Sequence, residues 1–163
     1  MNQAALDNSE RFCVFRSGDR WYGTPALGVR GIVPRPTLTR IPFSDPSLRG
    51  LCHLQNEFVP VISLHALSQI KYETAADSEQ QMMVMTGNLG PWGLLIDQAV
   101  ALASLETSIS NFANRHDKWS RVIVGSASYQ NQVLQIVDPT ALLNYVSGLL
   151  DMFWQNSNHA SVN

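Results

Sequence analysis

The chain has 163 residues, of which 45% are hydrophobic and 15% charged, and its net charge is −2. That is the size of one domain, or of two small lobes on a shared core, with about 70% of the unfolded surface available for burial, so neither disulfides nor a metal is needed for stability. The composition is too apolar for a disordered chain, holds no apolar run long enough to span a membrane, and argues against nucleic acid as the main partner.

Residues 1–10 lack the basic flank and apolar core of a secretory signal and read as a flexible N-terminus. Cys13 and Cys52, the only cysteines, both lie in apolar strand-like runs, so buried free thiols in a reducing, cytoplasmic compartment are expected. Arg11 to Arg16 alternates as a strand, Ser17-Gly18-Asp19 makes a turn, and Trp21-Tyr22 resumes, which predicts a hairpin. Ala26 to Val33 fits a strand or a short helical turn. Val33 to Pro42 is extended, because its prolines fix φ and disfavour helix before them.

Gly50–Leu54 and Phe58–Leu64 are two further strands, with the polar break Gln55-Asn56-Glu57 between them as a turn. A short helical turn is expected over His65–Ile70. Residues 71–81, almost without apolar anchors, are the expected internal loop or boundary between two lobes. Met82–Thr86 and Trp92–Val100 pair across Gly87–Pro91, and Leu102–Leu105 continues as strand or bulge. After a polar loop over 106–120, Arg121–Ala127 and Val133–Val137 make a last hairpin. Asp138 caps a helix with Pro139 at its first position, and Leu142, Leu143, Val146, Leu149, Leu150 and Phe153 follow at helical spacing. The tail from Gln155 onward is expected to fray.

No sequence pattern supplies catalysis. The four histidines lack zinc-site spacing, no CxxC pair exists, and phosphate-cradling and nucleophile-elbow motifs are missing. Cys52 and His53 are adjacent on a strand and so point to opposite faces. Asp97 suits a backbone-bonding role better than that of a general base; an enzyme would need the fold to bring it to His116. No catalytic residue, metal or cofactor is expected, and a binding module is. Charge is uneven along the chain, with seven arginines against three acids in residues 10–49. Such polarity can steer a protein partner.

From Tyr22-Gly23 onward the sequence resembles the CheW-like chemotaxis coupling domain. The likeness runs through Val29, Ile32, Thr39-Arg40-Ile41-Pro42, Leu48-Arg49-Gly50 and Val59-Pro60-Val61-Ile62-Ser63-Leu64. It resumes at Gly93-Leu-Leu-Ile-Asp97, Val122–Gly125 and Leu134–Leu143, covering residues 11–148 as one domain. The resemblance implies a mainly β fold of two small five-stranded β-barrel lobes with a C-terminal helix, which ends within residues 149–163. It also implies a non-catalytic adaptor. The partners would be the signalling tip of a methyl-accepting chemoreceptor and the regulatory domain of a CheA-like histidine kinase, at membrane-associated arrays but without membrane insertion.

Three departures stand out. The family's NLRG turn is His53-Leu54-Gln55-Asn56 here, its VPVIDL aspartate is Ser63, and the glutamate of its V-x-E-I run falls on Gly31. Candidate partner-binding residues are Val29, Ile32 and Leu54 on strands, Arg49 before Gly50, and Gln55, Asn56 and Glu57 at the turn. Phe153 and Trp154 are expected to run past the barrel and anchor a partner or a second copy. The competing reading is a domain that binds another protein, or a small ligand in the groove between lobes served by Trp21, Tyr22, Trp92 and Trp119.

Overall fold

The computed structural model describes residues 10–42, 45–68, 79–109 and 119–160; the side chains of Ile109 and of residues 152–160 lie outside that description. Eleven strands are present among the described residues: β1 Arg11–Ser17, β2 Arg20–Pro25, β3 Val29–Pro34, β4 Leu48–Leu54, β5 Glu57–Ser63, β6 Gln81–Met85, β7 Trp92–Ile96, β8 Gln98–Ser104, β9 Thr107–Ile109, β10 Ile123–Tyr129 and β11 Gln132–Val137. Helix α1 is Leu64–Ser68 and α2 is Pro139–Ala160, with short 3-10 turns at Ala26–Gly28 and Trp119–Arg121. Ala26–Val33 is therefore a helical turn followed by a strand, and Gln155–Ala160 is helical where fraying was expected.

The strands form two sheets, ordered β8-β1-β2-β11-β10-β9 and β3-β6-β7-β5-β4. The first is a terminal lobe built from both ends of the chain, and the second a central lobe built from its middle. This corrects the boundary expected at 71–81, since β5 and β6 on either side of that segment share one sheet. The chain changes lobe after β2 and again at Asp97, so Trp92–Val100 is not one strand.

Both sheets are rolled. Strands β8 and β9 lie at opposite ends of the six-strand order, yet only Leu105 and Glu106 separate them, a reach of roughly 10 Å. They are the two halves of one bent strand, β8 pairing β1 and β9 pairing β10. The central lobe repeats this device: the chain runs on from β3 and bridges the opposite edge strand through Thr39 and Leu51, whose amides and carbonyls exchange bonds of 2.8 Å. Counted this way, each lobe has five strands. Gly50, at φ +143°, makes the bridge possible, because a β carbon there would overlap the Thr39 carbonyl.

The correspondence extends further. Hairpin β4–β5 turns at Gln55-Asn56, with φ of 50° and 65°, and hairpin β10–β11 turns at Gln130-Asn131, with φ of 45° and 65°. Positive φ at both turn residues matches the strand twist, which accounts for asparagine at the second. A helix follows each hairpin, and each second strand pairs in parallel with a strand carrying glycine, Val61 opposite Gly93 and Ile136 opposite Gly23.

Strand alternation sorts the side chains into three cores. Cys52, Val59, Val61, Met82, Val84 and Leu95 fill the central barrel, and Phe12, Ala127 and Ile136 the terminal one. The opposite faces, with Tyr22, Ile62, Met83, Met85, Trp92, Leu94 and Val137 among them, meet between the lobes, where Leu142, Val146 and Leu150 of α2 join them. Phe15 reaches this shared core on the same face of β1 as Cys13, while Val100 bulges from the partner strand β8 between the Val14–Ala101 and Phe15–Ala99 pairs.

Candidate functional site: the outer face of the central lobe

Strand β3 alternates half-buried and exposed residues, which puts Val33 against the barrel core and Ile32 outside, 39% exposed. Just before it, the 3-10 turn carries Leu27 at 94% exposure. A leucine so fully in water contributes nothing to folding, and it sits where the chain crosses between lobes. Sequence reasoning missed it, because an Ala-Leu-Gly step after proline has no pattern that marks exposure. Val29 is half-buried against the shared core.

On β4, Arg49 and His53 are exposed while Gly50 and Cys52 face inward. Gln55, Asn56 and Glu57 are all exposed at the hairpin tip, and Leu54 packs against the central barrel core. Phe58, 63% exposed, stacks at a tilt on the His53 ring with centroids 5.2 Å apart. Of the predicted residues, Ile32, Arg49, Gln55, Asn56 and Glu57 are thus accessible. Leu54 and most of Val29 are used by the cores. The side chains of Phe153 and Trp154 lie outside the described residues.

The terminal lobe also exposes apolar residues. Val124 on β10, Val133 on β11 (73% exposed) and Leu102 on β8 are exposed, and none carries charge. The arginine-rich stretch does not map to one lobe: Arg11, Arg16 and Arg20 lie on terminal-lobe strands, whereas Arg30 and Arg49 lie on central-lobe strands.

Two of the family departures have structural answers. Ser63 is buried and its hydroxyl accepts from the Ala66 amide at 3.2 Å, capping α1. Asp138 caps α2 through the Thr140 amide, also at 3.2 Å. Serine at this position therefore serves the fold of this chain as a helix cap. At Gly31 a β carbon would meet nothing within 4 Å, so the space for a side chain is open.

A groove of about 820 Å³ lies between α1 and α2, lined in part by Asp45, Leu67, Arg121, Tyr145 and Leu149. The aromatic residues expected to serve such a groove are elsewhere: Tyr22, Trp92 and Trp119 are buried in the shared core. Hydrogen bonds from the Ser47 hydroxyl and amide hold the Asp45 carboxyl below its usual range. Burial pushes both the Cys13 and Cys52 thiols up, and Cys52 and His53 point apart as expected. Asp97 accepts from the Gly18 amide; His116 lies outside the described residues. Among the described residues no cluster of histidine, cysteine or acid is fit to hold a metal, and no helix is long and apolar enough to cross a membrane.

The CheW-like domain model matches residues 11–147. The chemotaxis protein CheW of Treponema pallidum (strain Nichols) is 25% identical over 98 residues, covering 58% of this chain. The chain spans likewise 58% of the length of that relative. The scaffolding protein TtCheW from Thermoanaerobacter tengcongensis has a crystal structure that superposes with a TM-score of 0.70, at 17% identity, over 79% of this chain and 84% of that one. The superposition speaks for the fold.

Proposed function

The chain belongs to the CheW-like domain family, and on that premise we propose that it is a non-catalytic adaptor coupling a chemoreceptor signalling tip to the regulatory domain of a CheA-type histidine kinase. The observation that carries this reading is the outer face of the central lobe. Leu27 on the crossover turn, Ile32 on β3 and Phe58 on β5 are exposed apolar residues, and Arg49, Gln55, Asn56 and Glu57 are exposed polar ones on the β4–β5 hairpin. Exposed apolar and polar side chains of these kinds are what protein interfaces draw on. Leu102, Val124 and Val133 on the terminal lobe give further exposed apolar surface, so receptor and kinase can be held by different lobes. The work is done in the cytoplasm, at arrays rather than in the bilayer.

Co-sedimentation tests this. Receptor signalling fragments on vesicles should carry the kinase into the pellet only when this chain is present, and L27D should abolish the transfer. Equal sedimentation of the kinase without the chain would end the adaptor reading.

A further inference from the structure

The β7–β8 crossover between the lobes is one residue, Asp97, and it is only 5% exposed. Its amide donates to the Arg16 carbonyl at 3.0 Å. Its carboxylate accepts from the Gly18 amide at 2.6 Å, in the β1–β2 turn of the terminal lobe. The other carboxylate oxygen accepts from Gln80 Nε2 at 3.5 Å, just before β6 of the central lobe. Gln80 in turn accepts twice from Arg35: the backbone amide reaches its carbonyl at 3.0 Å, and the guanidinium its Oε1 at 2.5 Å.

Arg35 is the first residue beyond β3, where the chain starts the bend that closes the central barrel on Thr39. A polar chain therefore runs from the bend behind Ile32, through a buried carboxylate, to a turn in the other lobe. A carboxylate at that depth depends on its donors, and removing one costs more than the bond itself. Hydrogen bonds in series also strengthen one another. We infer that Gly18, Asp97, Gln80 and Arg35 form a polar relay that makes the β1–β2 turn and the departure of β3 open and close together. The longest link, Gln80 to Asp97, is the one on which the relay depends.

Load on the Ile32 face is then felt at Gly18 although the two lie in different lobes. Asp97, Gln80 and Arg35 are positioning residues in this scheme, and the relay stands whether or not the partners proposed above are the right ones.

Amide hydrogen exchange on the full chain, read residue by residue, tests it. Q80A removes the middle link and R35A the far end, and neither residue touches Gly18. Both variants should accelerate the Gly18 amide about fivefold or more, the lower end of ordinary coupling between sites. The amides of the β10–β11 hairpin should stay at parent rates. D97N should accelerate the Arg35 amide in return. A Gly18 amide unchanged in Q80A would overturn the relay, and so would a uniform acceleration of all amides, which reports loss of global stability instead.

Discussion

Ser63 and Asp138 occupy corresponding places in the two lobes, each standing at the junction of the second strand of a hairpin with the helix that follows and capping that helix through a backbone amide at 3.2 Å. One is neutral and the other charged, so the cap is the shared requirement. Removing the cap acceptor typically costs about 1 kcal/mol. S63A is expected to lower the urea midpoint accordingly, whereas S63D should match or exceed the parent, because a carboxylate also favours the positive end of the helix. A destabilised S63D would mean that the buried site tolerates no charge.

The lobes also share a glycine facing a parallel partner strand. A β carbon at Gly93 would overlap Met82 Sδ and press on Val61, so G93A should cost about 1–3 kcal/mol through overpacking. Gly31 has nothing within 4 Å of that position, and G31E, which restores the residue common in the family, should change stability by less than about 0.5 kcal/mol. Denaturant unfolding of the two variants side by side decides this; equal losses would refute the assignment of Gly93 to the barrel interior.

Much of this was legible in the sequence, and the gaps have one cause. Strands, turns and caps are local: Gln55-Asn56 shows its turn chemistry, and Asp138-Pro139 its helix start. Which strands share a lobe is not local. The parallel pairing of β2 with β11 joins Gly23 to Ile136, and no periodicity in either segment encodes that meeting. The polar stretch at 71–81 looked like a lobe boundary because loops and linkers have the same composition, while the real crossover at Asp97 is one residue inside an apolar run. For the site, Val29, Ile32 and Leu54 read alike in the sequence as apolar strand positions, and only the observed strand alternation puts Ile32 outside. Leu54 went to the core for the same reason, and Leu27 escaped because a single 3-10 turn has no repeat to read.

The turn where the family's arginine is missing can be rebuilt. Gln55 and Asn56 have φ of 50° and 65°, and glycine at the second position removes a left-handed penalty of about 1 kcal/mol. The double variant Q55R/N56G should therefore melt at or above the parent temperature. It should also bind an acidic receptor segment more tightly than the parent, as measured by calorimetry. A lower melting temperature would show that the present turn is tuned to its own strands.

The thiols set a pH limit on stability. Burial raises Cys13 and Cys52 above their ordinary value of 9.0, so the folded state holds their protons more firmly than the unfolded chain. That contribution is fully present below pH 9 and is lost as pH rises beyond it. Unfolding midpoints should fall above about pH 9, and the fall should shrink in C13A/C52A. Alkylation at neutral pH should be slow for both thiols until denaturant is added. Rapid labelling of Cys52 in the native protein would contradict its place in the barrel core.

The adaptor reading is tested most directly by titrating the chain, in a calorimeter, with a receptor signalling fragment and separately with a CheA-like regulatory domain. The account predicts saturable binding to both, each tighter than about 100 μM, or about −5.5 kcal/mol, with I32D weakening at least one by about tenfold or more while the fold is unchanged. Absence of binding to either partner at about 100 μM would contradict it.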